Sequence, residues 1–222
     1  MEFSGRIIGI DESGKGDFFG PLVVAAVYAD EAGAARLVQL GARDSKTLTD
    51  KRVTAVDQAI REQFIHFVHV IAPAQYNIAY ARVKNLNRLL AAGHAAAIVA
   101  VLERLLPQQR AGCRAISDKF GKDERLETAL AEIGCRIDVT QIHRGEEVPQ
   151  VAAASVLARA EFIRRLGALS EEIGIKLPKG AAAQVDDAGR RVVARWGPDI
   201  LTRVAKTHFK NYGRVLAGAG LL

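Results

Sequence analysis

The sequence predicts an α/β fold, a central β-sheet flanked by helices and followed by a helical, basic C-terminal region. Three observations predict it. Short β-branched runs alternate with stretches of helical spacing along the chain. Two of those runs, Ile7–Ile10 and Arg114–Asp118, deliver carboxylates into turn residues, and in α/β sheets the carboxyl edge of the strands is where ligands sit. A hydrophobic share of 49% over 222 residues is enough to bury a full core in one domain, residues 1–222.

The first strand organises the rest. Ile7–Ile10 is too short for a helix and leads into Asp11-Glu12-Ser13-Gly14-Lys15-Gly16. Leu22–Val27 returns as a second strand, giving a hairpin with acids at its tip. Carboxylates at the end of a buried strand are costly unless compensated, and a hard divalent cation with several oxygen ligands compensates them well. A solvated strand end is the plainer alternative. Gly9 to Lys15 also matches the phosphate-binding pattern G-x-x-x-x-G-K. Gly16 then stands where a hydroxyl residue must follow, and a strand comes where a helix must begin.

Asp30–Gly41 is an alanine-rich, partly helical connector. Arg43-Asp44-Ser45-Lys46-Thr47-Leu48 is a loop in which Ser and Lys are natural phosphate ligands. It also leads into a helix over Thr49–Phe64, with Thr49 as N-cap. Ile65–Ile71 alternates as a strand, with His66 and His69 on one solvent-facing side. Pro73 opens a long helical region to Leu106, with Leu86, Leu89, Leu90 and Ala97 inward and Asn85 or Asn87 available to cap a break.

Arg114–Asp118 repeats the opening logic of a strand carrying an acid, although a lone Asp before a turn also serves as a capping residue. Lys122–Ile133 is a helix with Leu126, Ala129, Leu130 and Ile133 inward, and Cys135–Ile142 is a further strand. Gly145-Glu146-Glu147 then precedes a helix over Pro149–Leu169, whose small residues 152–155 let it approach the sheet. Helix-dipole stabilisation alone would also place acids there. Leu177-Pro178-Lys179-Gly180 joins it to short helices at Val185–Trp196 and Pro198–Lys206.

The net charge of +6 is unevenly spread: residues 159–214 hold twelve Lys/Arg against six Asp/Glu, and the remainder holds nineteen of each. A basic quarter beside an acid-bearing core suits a protein that grips a polyanion and works on it. Arg190, Arg191, Arg195, Arg203 and Lys206 stud this surface. Cys113 and Cys135 are too few for a disulfide framework. No run of eighteen apolar residues and no signal peptide is evident, so the expectation is a cytoplasmic protein that does not engage membranes.

The stretch Asp11-Glu12-Ser13-Gly14-Lys15-Gly16-Asp17-Phe18-Phe19-Gly20-Pro21-Leu22-Val23 resembles the first active-site motif of the type 2 ribonucleases H, and most of all ribonuclease HIII. Asp44-Ser45-Lys46, Lys84 to His94, Asp118, Gly145-Glu146 with Ala152-Ala153-Ala154-Ser155, Lys179-Gly180 and His208–Tyr212 extend the likeness from about Ile8 to Asn211.

The resemblance implies a ribonuclease H-like mixed sheet with a helical C-terminal extension. It implies hydrolysis of the RNA strand of RNA/DNA hybrids to 5′-phosphate and 3′-hydroxyl ends. Asp11, Glu12, Asp118 and Glu146, with Glu147 as alternative to the last, would be the catalytic acids and would hold two Mg²⁺ or Mn²⁺ ions. Ser13, Gly14, Lys15, Gly16, Asp44, Ser45, Lys46 and Lys179 would contact substrate, the Gly-Lys-Gly amides sensing a ribose 2′-hydroxyl. Ribonucleases HIII usually carry an N-terminal hybrid-binding domain, and Asp11 comes too early for one here. Affinity is then expected from the basic surface, in a monomer needing no protein partner. Cleavage at single ribonucleotides in DNA, as in the HII branch, is the near alternative. A nucleotide hydrolase and a non-catalytic hybrid-binding module are the alternatives from other classes.

Overall fold

The computed structural model of the protein describes residues 4–42, 45, 48–121 and 124–222. Asp44 and Lys46 of the expected substrate loop lie outside the described residues, as does Lys122, the expected start of a helix.

A five-stranded mixed sheet carries the fold, in the order β3-β2-β1-β4-β5. It comprises β1 (Ile7–Ser13), β2 (Leu22–Ala29), β3 (His66–Ile71), β4 (Arg114–Asp118) and β5 (Val139–Ile142). Every residue of β2 is buried, which accounts for its continuous apolar run. The loop between β1 and β2 is too short for a parallel crossover, so those two form a hairpin. Strands β4 and β5 run parallel to β1, with Ile7 abreast of Arg114 and Ile10 of Ser117, and Ala115 abreast of Val139 and Asp118 of Ile142.

The helices are α1 (Glu31–Leu40), α2 (Asp50–Gln63), α3 (Pro73–Val83), α4 (Leu86–Leu102), α5 (Pro107–Arg110), α6 (Glu124–Glu132) and α7 (Pro149–Ile173). Then come α8 (Ala183–Trp196), α9 (Leu201–Val204) and α10 (Lys210–Gly218). The Thr49 hydroxyl caps α2 by accepting from Arg52 N. One long helical region from Pro73 is not found. Lys84 adopts a left-handed conformation (φ 45°) that ends α3, and the Asn85 side chain caps α4 at Arg88 N, 3.2 Å.

Two compact units make up the chain. The first comprises Met1–Glu12, Val24–His69 and Asn85–Ala160. Its core includes Ile7, Ile116, Val148 and Val151, with Ile142 packed on them, and Gly93 of α4 lies against Val24 of β2. The strand histidines do not share one solvent-facing side: three residues apart in β3, they point to opposite faces, and both are half-buried, the His69 ring stacking by Phe67 and lying near Gly93. Ile133, expected inward, is 52% exposed because α6 ends before it.

The second unit comprises Ser13–Val23, Val70–Lys84 and Glu161–Leu222. Gly189 of α8 packs on Val215 of α10. The expected helix Pro198–Lys206 is a 3₁₀ turn (Pro198–Ile200) followed by α9, after which the chain extends. Lys206 therefore leaves the helix surface and is fully buried, contrary to its expected place on a basic face. Among the described residues no single helix is long and apolar enough to cross a membrane.

Candidate active site

Parallel pairing places the acids. Ile10 is abreast of Ser117, so the next residues along the two strands, Asp11 and Asp118, come to the same edge of the sheet, with adjacent strands about 4.8 Å apart. Asp118 is in turn abreast of Ile142. Beyond β5, Arg144 takes a left-handed conformation (φ 58°) and a 3₁₀ turn spans Gly145–Glu147. Gly145 N donates to Asp118 Oδ1 at 3.0 Å. The residue must be glycine there, since a Cβ would lie 2.8 Å from Asp118 Cα. Glu146, the next residue, is half-buried, whereas Glu147 is exposed and pairs with Arg144 at 2.8 Å.

Asp11 has the most perturbed carboxyl of the set. Burial, then the neighbouring Glu12 charge, and to a lesser degree Asp118, push it from the usual carboxylate range up to about 8. Hydrogen bonds from the Ser155 hydroxyl and from Glu12 N (2.7 Å) oppose that shift and hold the group in place. Gly9 brings the Ser155 helix so close. A Cβ at Gly9 would lie 2.1 Å from the Gln150 carbonyl carbon, so only glycine lets the start of α7 rest on β1. Ser155 Oγ is also 2.8 Å from Ser45 Oγ. Arg159 donates to Ser45 O and, at 2.8 Å, to Asp50 Oδ1.

Glu12 has a different anchor. Its Oε2 is 3.1 Å from Nε2 of His94, a residue of α4 with no solvent exposure. The other ring nitrogen, Nδ1, is 3.1 Å from Ser117 Oγ, and Phe120 packs on the ring at 4.4 Å between centroids. Ser117 also donates to Asp118 O at 2.9 Å. This chain of contacts links the acid-bearing ends of β1 and β4.

The expected site residues thus fall into three groups. Asp11, Glu12, Asp118 and Glu146 belong to the first unit, at or just beyond the carboxyl ends of β1, β4 and β5. Ser45 is buried there, with its hydroxyl on Ser155 rather than projecting outward. Ser13, Gly14, Lys15, Gly16 and Lys179 belong to the second unit, where Gly14 is buried and Gly16 and Lys179 are exposed. Because β1 continues through Ser13, most of the G-x-x-x-x-G-K match is strand and cannot wrap a phosphate. Sequence reasoning missed His94, Ser117 and the role of Ser155. The available signal was a histidine and a serine each interrupting a small or apolar run.

The donor chemistry fits a hard divalent cation. Carboxylate oxygens supply it, and the raised Asp11 group marks a site short of positive charge. In the geometry observed the acids meet in pairs, and among the described residues no three His, Cys, Asp or Glu side chains enclose one point.

Carboxylates at the edge of a mixed sheet, with Asp11, Glu12 and Asp118 held by neighbouring amide, hydroxyl and imidazole groups, define a nuclease of the ribonuclease H class. The chain belongs to the Ribonuclease HII family, whose model matches residues 8–212. It is 44% identical over 214 residues to Ribonuclease HIII of Protochlamydia amoebophila (strain UWE25), an alignment covering 96% of this chain and 69% of that protein. It is 42% identical over 207 residues to Ribonuclease HIII of Chlamydia abortus (strain DSM 27085 / S26/3), covering 92% and 68%. The crystal structure of Bst-RNase HIII in complex with Mn²⁺ superposes with a TM-score of 0.90 at 36% identity, covering 97% of this chain and 70% of that one.

Proposed function

We propose that this ribonuclease H cuts the RNA strand of RNA/DNA hybrids endonucleolytically, leaving 5′-phosphate and 3′-hydroxyl ends. Asp11, Glu12, Asp118 and Glu146 hold divalent ions, and Ser13-Gly14-Lys15-Gly16 contacts the ribose. The observation that carries the site assignment is the parallel register that brings Asp11 and Asp118 to the same edge, where burial, then the Glu12 charge and to a lesser degree Asp118, raise the Asp11 group to about 8. The Mn²⁺ bound by Bst-RNase HIII supports a metal-dependent reading. Two Mg²⁺ or Mn²⁺ ions, when bound, acidify the attacking water and stabilise the departing oxygen.

The chain's own groups prepare the acids. Ser155 and Glu12 N orient Asp11, Gly145 N orients Asp118, and His94 orients Glu12. Glu146 is preferred over Glu147 because Glu147 is solvent-exposed and engaged by Arg144. Lys15, Lys179 and the basic C-terminal region contribute affinity for the polyanion. The protein works as a cytoplasmic monomer.

Asp118→Asn tests the reading. Folding and hybrid binding should persist within about threefold, while Mg²⁺-dependent cleavage falls by at least about a thousandfold. Unchanged cleavage would remove Asp118 from the mechanism. The match to the Ribonuclease HII model favours a second substrate reading. A continuous hybrid and a DNA duplex with one ribonucleotide separate the two: cutting only the first supports HIII-type choice, and cutting both supports HII-type choice.

A further inference from the structure

Lys206 is wholly buried, and the acid site makes no use of it. Its Nζ donates to Asp17 O at 2.8 Å and Gly20 O at 2.7 Å, and lies 5.7 Å from the centre of the Tyr76 ring. Removing an ammonium from water is costly, and two carbonyls and a ring face are the compensation found. The Asp17 carbonyl ends the turn that begins at Gly14, and the Gly20 carbonyl lies three residues beyond it.

The backbone binds the same segment from two sides. Gly20 N donates to Val204 O (2.9 Å), Lys206 N to Phe18 O (2.8 Å) and Phe18 N to Gly180 O (2.9 Å). Phe19 bridges Ala205 in antiparallel fashion, and the Asp17 carboxylate accepts from Gly180 N at 2.6 Å. Asp17 N donates to Gly14 O, closing the turn. Gly14 has no room for a Cβ, which would lie 2.2 Å from Pro21 O. The segment leaving the turn is therefore held by Lys206, and the turn itself carries the exposed Gly16.

We propose that Lys206 is a positioning residue for substrate recognition. By gripping the Asp17 and Gly20 carbonyls it holds the Gly14-Lys15-Gly16 amides in the arrangement that receives the hybrid, and so sets affinity more than the rate of bond cleavage. The inference rests on assigning that turn to the hybrid. The ionisable groups facing Lys206 are Asp17, Tyr76 and His208. Burial lowers the Lys206 ammonium to about 7 against the pull of Asp17. Burial also raises Tyr76, and burial together with Lys206 lowers His208, so both stay neutral near pH 7.

The test uses the full chain and an RNA/DNA hybrid, with binding measured by fluorescence anisotropy without divalent ions and cleavage measured with Mg²⁺. Lys206→Met should lose about tenfold in hybrid affinity, as expected for lost charge-assisted hydrogen bonds. KM should rise in step, while kcat falls by less than about threefold. Amide exchange should quicken at residues 14–20 ahead of the rest of the chain. A folded Lys206→Met with wild-type affinity and exchange overturns the proposal.

Should that variant not fold, Lys206→Gln decides, because its shorter amide cannot reach both carbonyls: hybrid affinity should again fall several-fold, with quickened amide exchange at residues 14–20. A folded Lys206→Gln with wild-type affinity and exchange overturns the proposal. Failure of the wild type to bind hybrid at any pH removes the functional reading of the turn as well, which distinguishes the two failures.

Discussion

Asp11 bears a carboxyl whose folded and unfolded states bind protons very differently. Its group is raised to about 8 in the folded chain from about 3.9 when unfolded. The stability tied to its proton is therefore fully present below about pH 4 and is lost as pH rises through about 8. Asp11→Asn lacks this loss. Its gain in metal-free Tm over the wild type should be several degrees larger at about pH 8 than at about pH 5, by about 2–4 °C per kcal/mol. Adding Mg²⁺ should shrink the gap at pH 8 by raising the wild type alone. Thermal scans at the two pH values check both statements.

Elements position these groups, and α7 meets β1 closely at Gly9. Gly9→Ala forces a methyl into the Gln150 backbone, so strand and helix must part. Overpacking of this kind costs about 1–3 kcal/mol or more, and cleavage should fall further than stability because Ser155 moves with the helix. Comparing the loss in cleavage with the loss in denaturation midpoint separates the two. The break between α3 and α4 makes a milder case. Asn85→Ala removes the cap at Arg88 N and should cost about 1 kcal/mol, or roughly 2–4 °C in Tm.

Legibility also divided at the level of elements. The strands of Asp11 and Asp118 were readable because apolar run, acid and turn follow one another in the chain. The break at Lys84-Asn85 was readable only as an available cap, since a left-handed residue needs the fold to hold it. His94 was not readable as a partner of Glu12. The two are 82 residues apart, and a histidine within Ala-Gly-His-Ala-Ala-Ala looks like any other core residue. Lys206 misled for the same reason, because nothing local separates a buried ammonium from a solvated one.

For the whole molecule, charge governs binding. The basic surplus of residues 159–214 exaggerates the grip available, because much of it is engaged internally. Arg164 and Arg165 pair with Glu161, Arg190 with Asp187, Arg203 with Glu172 and Arg214 with Asp186, and Lys206 is buried. Arg159 is likewise held by Asp50, so at roughly 0.9 per neutralised phosphate this region should contribute no more than about 4–5 to the slope of log affinity against log salt. Anisotropy titrations between about 50 and 200 mM salt measure it, and a contribution near 10 would mean these pairs open to meet the phosphates.

The parallel order of β1, β4 and β5 has a consequence for how the protein is made. Asp11 leaves the ribosome about a hundred residues before Asp118, a delay on the order of ten seconds, and Glu146 follows later still. A nascent chain thus carries Gly14-Lys15-Gly16 well before Gly180 and Lys206, whose contacts hold that segment, have been made. Translation halted between those points would release the glycine-lysine-glycine motif without the partners that fix its shape.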